Sequence, residues 1–187
     1  MPHHKHYKIY KPYGYLSQFV NNQNKRKNKK LLGELYDFPD GIMAIGRLDE
    51  PSEGLLLLTT DGKISDYIRS SKVEKEYYVM VDGLITNDAI TKLGLGVEIS
   101  VNGKPYKTKP CPVEKLENHP NVPERFVRDE RHGPTSWIKI VLREGKFRQV
   151  RKMTAAAGFP TLRLVRVRIG DFILGSMKPG DVIEIAF

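Results

Sequence analysis

The sequence predicts an α+β fold with a mixed, largely antiparallel sheet and flanking helices. Three observations predict it. Runs that read as strands outnumber runs with helical spacing. The two kinds are interspersed irregularly, without the regular strand–helix alternation of a parallel α/β chain. No segment recurs at the spacing of a solenoid or propeller.

The expected strands are alternating or unbroken apolar runs rich in β-formers. In order they are His6–Tyr10, Leu16–Val20, Met43–Ile45, Leu55–Thr60, Glu76–Val81, Trp137–Leu142, Leu162–Ile169 and Val182–Ala186. Helical spacing is clearest in three places. Lys63–Arg69 puts Ile64, Tyr67 and Ile68 on one face after the cap-like Asp61. Asn87–Leu93 follows Thr86, with Asp88 suited to the first turn. Phe147–Ala157 stacks Phe147, Val150, Met153 and Ala157, then stops at Gly158 and Pro160. Two stretches read as long loops, the basic Asn21–Lys30 and the Pro-rich, charged Asn118–Pro134. Loops of that kind are mobile or functional.

The 187 residues suit one domain, whose two lobes would divide near Asp82–Gly83. A content of 40% hydrophobic and 28% charged residues excludes wholesale disorder. No apolar run approaches the roughly 18 residues of a membrane span. The start, "MPHHKHYKIYKPYG", lacks the apolar core of a signal peptide, and "HHKH" reads as a flexible end. The location expected is therefore cytoplasmic. The single cysteine, Cys111, excludes an internal disulfide and a multi-cysteine zinc site. His119 and His132 lack ligand spacing, so neither metal nor cofactor is expected. Lys and Arg number 31 against 22 Asp and Glu, a net +9 that favours a polyanionic partner such as nucleic acid. The excess concentrates in Asn24–Lys30, which holds Lys25, Arg26 and Lys27, and in Arg143–Lys152.

The stretch "AIGRLDEPSEGLLLLTTDG", Ala44–Gly62, carries the sharpest signal. Asp49 lies in a turn between two buried strands, where a side chain is held rigidly. A turn or capping aspartate is the plainer reading. Arg47 and Asp49 alternate and so face one side of a strand, as a surface pair or as an arginine beside a reacting carboxylate. Asp49 with Glu53 resembles the acid pair of a glycoside hydrolase. In "GKFRQVRKM", Arg148 and Arg151 reach one side of a helix and Lys152 its flank, as phosphate grips or as a solvated face. Tyr77 and Tyr78 point to opposite faces of their strand, one towards the core and one available to stack on a base.

"GRLDEPSEGLLLLTTDG" closely resembles the signature of the RsuA-type pseudouridine synthases, the branch containing the RsuA, RluB, RluE and RluF enzymes. "KPYGYLSQF" (Lys11–Phe19) is similar to their N-terminal motif, "KEYYVMV" to their K-x-Y-x-V strand, and "EGKFRQVRKM" to their Arg-Gln helix. "TLRLVRVRIGDFIL" continues as those proteins do, so the ordered motifs run from Lys11 to about Leu174. The Ser-Glu-Gly after the aspartate, and an opening with no room for an accessory RNA-binding domain, look most like the RluE subgroup of 23S rRNA pseudouridine synthases. The resemblance implies their fold with a central active-site cleft, over a single catalytic domain spanning 1–187. It implies a catalytic Asp49 and an Arg47 near the flipped nucleotide. Tyr77 would pack against the target base, Arg151 would pair with the aspartate, and Glu53 would be scaffold. Phe147 stands where asparagine is frequent in the family.

Pseudouridine forms by breaking the base–ribose bond, rotating the uracil and rejoining it through carbon, which needs no redox partner or metal. The expected substrate is a uridine in ribosomal RNA, of the large subunit in preference to the small, met by a monomer. Lys11, Lys25, Arg26, Lys27, Arg148 and Lys152 are the expected RNA contacts, weakening as salt rises. Two other readings stand beside this one. A non-catalytic RNA-binding assembly protein would not need Asp49, and a glycosidase would need Glu53 as well.

Overall fold

The computed structural model describes residues 3–19 and 29–187. The expected contacts Lys25, Arg26 and Lys27 lie outside the described residues. The chain divides into two compact units, one formed by Met1–Val73 with Arg166–Phe187 and the other by Glu74–Val165. Asp82–Gly83 therefore lies inside the second unit, and the boundary expected there is corrected to Val73/Glu74 and Val165/Arg166.

The first unit begins with β1 (His6–Lys11), β2 (Tyr15–Leu16), β3 (Lys30–Leu31) and a 3₁₀ turn at Leu32–Glu34. β4 (Met43–Ala44), β5 (Glu53–Thr59) and helix α1 (Gly62–Arg69) follow. The second unit holds β6 (Lys75–Asp82), α2 (Asn87–Leu95), β7 (Glu98–Val101), β8 (Lys104–Lys107) and β9 (Val113–Leu116). After a 3₁₀ turn at Glu130–His132 it adds β10 (Thr135–Leu142) and α3 (Gln149–Ala156). β11 (Thr161–Ile169) begins in the second unit and ends in the first, which β12 (Phe172–Ile173) and β13 (Val182–Glu184) complete.

β5 is apolar from Leu55 to Leu58 because all four leucines are wholly buried, each worth about 2 kcal/mol of burial. β1 pairs antiparallel with it, setting Tyr7 opposite Leu58 and Ile9 opposite Leu56. Those four side chains pack with Leu32 and Leu48, the latter just before Asp49. β13 covers the other edge of β1, also antiparallel. Lys5, in the stretch expected to be a flexible end, is tied down. Lys5 N donates to Thr60 Oγ1 at 3.0 Å, and its ammonium meets Glu184 at 2.7 Å. Of the expected strand Leu16–Val20, Val20 lies outside the described residues, and the strand observed is Tyr15–Leu16, which pairs parallel with Lys30–Leu31.

In the second unit β6, β10 and β9 are antiparallel neighbours. Val79 faces Ile138 and Tyr77 faces Ile140. This face packs with Ala89 and Leu93 of α2 and with Val150 and Met153 of α3. Thr86 caps α2 by accepting from Ala89 N at 3.2 Å. β7 and β8 form a hairpin around Asn102–Gly103, both at positive φ as an Asn-Gly turn requires. All pairs named here except β2/β3 are antiparallel, so the α+β class read from the sequence is the class observed.

The stretch Asn118–Pro134, expected to be either mobile or functional, is pinned. Arg163 is buried and donates to Pro123 O at 2.6 Å, its guanidinium 5.9 Å from the Trp137 ring. Arg128 meets Asp82 at 2.7 Å, and Val122 is buried. Its two arginine anchors are far from the loop in sequence or paired across it, and periodicity does not reveal such partners. No helix among the described residues is long and apolar enough to cross a membrane.

Gly96 ends α2 with φ +105°, and a Cβ there would lie 2.2 Å from the backbone oxygen of Thr108. Gly96→Ala combines that clash with a backbone conformation L-residues avoid. We expect about 3 kcal/mol of destabilisation, seen as a lowered urea midpoint. A loss below about 1 kcal/mol would show that the Thr108 segment yields without strain.

Candidate active site

Asp49 lies in the irregular segment between β4 and β5, so the strand alternation expected for Arg47 and Asp49 is corrected. Leu48 points into the core, Arg47 is exposed and Asp49 is half-buried. Backbone bonds on either side of the aspartate hold it. Ser17 Oγ donates to Leu48 O at 2.7 Å and accepts from Leu48 N at 3.0 Å. Ser52 N closes a turn on Asp49 O at 2.9 Å. Glu50 O accepts from Gly14 N at 2.9 Å and from Lys11 Nζ at 3.2 Å. Lys29 pairs with the Glu50 carboxylate.

Lys11 is the largest correction. It is wholly buried, and its ammonium also donates to Tyr15 O at 2.7 Å and Pro12 O at 3.0 Å. An ammonium so enclosed meets no phosphate. It instead ties the "KPYGYLS" stretch to the aspartate segment, so Lys11 and Ser17 are positioning residues that sequence reasoning missed. The available signal was a lysine directly following the buried pair Ile9–Tyr10 at the end of a strand. Glu53 is 2% exposed at the start of β5, where no sugar reaches it, which removes the glycosidase reading.

In the second unit the "EGKFRQVRKM" stretch is a turn and then a helix. α3 starts at Gln149, and Arg148 precedes it in the left-handed conformation with φ +52°. That break in phase leaves Phe147 70% exposed, against the expected burial. Arg148 is exposed and off the helix, so it does not share a helical face with Arg151. The turn is built on Glu144, which accepts from Lys109 N at 2.9 Å, Gln149 Nε2 at 2.8 Å and the Tyr106 hydroxyl. Burial pushes the Glu144 carboxyl up, but these three donors outweigh it and hold it below the usual carboxylate range. Gln149 is itself buried and accepts from Lys146 N at 3.1 Å. Lys152 is half-buried, its ammonium 2.8 Å from Ser100 O. Tyr77 lies on the core side of β6 with Val79, which leaves Tyr78 on the other face. Cys111 sits partly buried, and burial pushes its thiol up to about 11, far from a reactive thiolate.

The aspartate segment and the Arg148 turn both fall within residues 5–156, which match the family model described as RNA pseudouridylate synthase. The chain belongs to that family. It is 42% identical over 179 residues to "Ribosomal large subunit pseudouridine synthase E" of Vibrio parahaemolyticus, covering 94% of this chain and 71% of that one. The protein of the same name from Xanthomonas campestris pv. campestris is 42% identical over 175 residues, 91% and 90% of the two chains. A crystal structure titled as a pseudouridylate synthase superposes with TM-score 0.78 at 25% identity, covering 100% of this chain and 72% of that one. Membership of this synthase family bears out the RsuA-type resemblance, and the synthase E relatives agree with the subgroup to which Ser52-Glu53-Gly54 pointed. As a pseudouridine synthase the protein is an isomerase.

Proposed function

We propose that the protein isomerises one uridine in the ribosomal RNA of the large subunit, with Asp49 as the catalytic carboxylate. The observation that carries this reading is the aspartate motif itself, set in a segment fixed by its backbone on both sides. The relatives named for the large subunit support the substrate class. Arg47 is exposed beside Asp49 and suits the vacancy left by a flipped uridine. By motif match, Tyr77 supports the target base and Arg151 the aspartate. Arg148 and Lys152 lie near the RNA, together with Lys25, Arg26 and Lys27.

In the reaction the C–N bond to ribose breaks, the uracil rotates, and a bond forms from C5 to the anomeric carbon as the C5 proton leaves. Electrons balance without an oxidant. The carboxylate either attacks the anomeric carbon or removes the neighbouring ribose proton. The protein works in the cytoplasm, as a monomer.

The test uses ribosomal RNA transcripts tritiated at uracil C5. Release from the large-subunit transcript and none from the small-subunit transcript is the expected result. Release from the small-subunit transcript alone would overturn the substrate while leaving the reaction. Salt-sensitive binding without release from either transcript, or from partly assembled particles, would favour an assembly protein.

A further inference from the structure

The hairpin β7–β8 and the turn before α3 form one surface within the second unit. Glu144 joins them through the Tyr106 hydroxyl and Lys109 N. Lys146 lies over the Tyr106 ring at 5.0 Å, and Lys152 reaches from α3 to Ser100 O on β7. The hairpin carries Lys104 and Lys107, with Lys109 just beyond it, and the turn carries Lys146 and Arg148, all exposed; the hairpin's single exposed carboxylate, Glu98, lies directly across from Lys107. On the turn, between Lys146 and Arg148, stands Phe147. Its ring is 70% exposed, yet its place is set. Glu144, Gln149 and Lys146 fix the turn, and the Lys152 ammonium lies 5.3 Å from its centroid.

Exposing a phenylalanine this far gains nothing for folding. A ring held outward among cations has the features of a stacking platform for a base whose backbone the cations track. A protein partner would meet a patch of one charge with a single ring, poorer in apolar contact than protein interfaces are at their centre.

We propose that Phe147 stacks on an unpaired base of the substrate RNA outside the target uridine, with Lys104, Lys107 and Lys109 holding the adjoining phosphates. The inference rests on the isomerase reading above and adds a specificity contact to it.

The experiment uses the full chain and the shortest large-subunit rRNA transcript from which the wild type releases tritium. Affinity is measured across a salt series for wild type, F147A, F147W and the triple K104A/K107A/K109A. Stacking predicts that F147A binds about ten- to a hundredfold more weakly with its salt slope unchanged, raises KM and leaves kcat. F147W should bind as wild type does. The triple variant should lose about two from the slope of log affinity against log salt. Near-UV circular dichroism checks folding, which changes at exposed positions leave intact. Wild-type release with F147A affinity unchanged would overturn this inference alone, as would F147W as weak as F147A. If F147A kept its affinity for RNA and lost it only for ribosomal particles, the surface would face protein and the inference would fall. A wild type that releases no tritium from any transcript would overturn the isomerase reading and this inference with it.

Discussion

Asp49→Asn should lower tritium release from large-subunit rRNA by at least about a thousandfold while RNA affinity stays the same or tightens. Removing the group that attacks carbon or carries a proton takes away the chemical step. Asparagine keeps the shape, and the bonds that set the segment run through the backbone of Leu48, Asp49 and Glu50. The fold should therefore survive. Removing one negative charge from a chain of net +9 cannot weaken its attraction to a polyanion. Residual activity within tenfold of wild type would show that Asp49 is not the catalytic group. Loss of release together with loss of binding in a folded variant would point to a binding role instead.

The second large effect is expected at a residue that touches no substrate. Lys11→Met removes the donor shared by Pro12 O, Tyr15 O and Glu50 O while roughly keeping the side chain's length. Carbonyls left short of a partner in the interior lose about 1–3 kcal/mol each, and Glu50 O retains Gly14 N. We expect about 3 kcal/mol of destabilisation and a Tm lowered by roughly 6–12 °C. The aspartate segment would then be less well held, and a misplacement of about 1 Å costs on the order of a hundredfold in rate. kcat should fall at temperatures where both proteins are folded. The salt dependence of RNA binding is the decisive readout. A buried ammonium leaves that slope unchanged, whereas a phosphate contact would lower it by about one. A lowered slope would restore Lys11 to the RNA surface.

How much of this was legible in the chain differs from residue to residue. The four leucines of β5 announce a strand buried on both faces, because an unbroken apolar run of that length has few other uses. Thr86 and Asp61 mark helix starts correctly, since capping depends on neighbours two or three residues away. Phe147 was misread for a related reason. Periodicity assumes one helical phase, and the left-handed Arg148 breaks it. Nothing local in "GKFRQV" signals that break, which depends on Glu144 meeting Tyr106 on the hairpin and Lys109 just beyond it, 38 and 35 positions away.

The candidate site divides along the same line. Asp49, its turn and the family to which it belongs are properties of a short, contiguous motif, and the sequence by itself determined them. So did the α+β class, because local pattern reports which segments extend and which coil. Whether a charged side chain meets solvent or the interior was decided only by tertiary structure. Lys11 and Lys152 are both lysines in motifs of an RNA enzyme. One is enclosed by three carbonyls and the other is fastened to Ser100 O. Composition counts their charges alike, but a buried polar group must find partners wherever the folded chain supplies them. Glu50 O reaches Lys11 from a distant segment, and their meeting makes Lys11 part of the scaffold rather than a phosphate ligand, while Lys152, bonded to Ser100 O, keeps its ammonium near the surface.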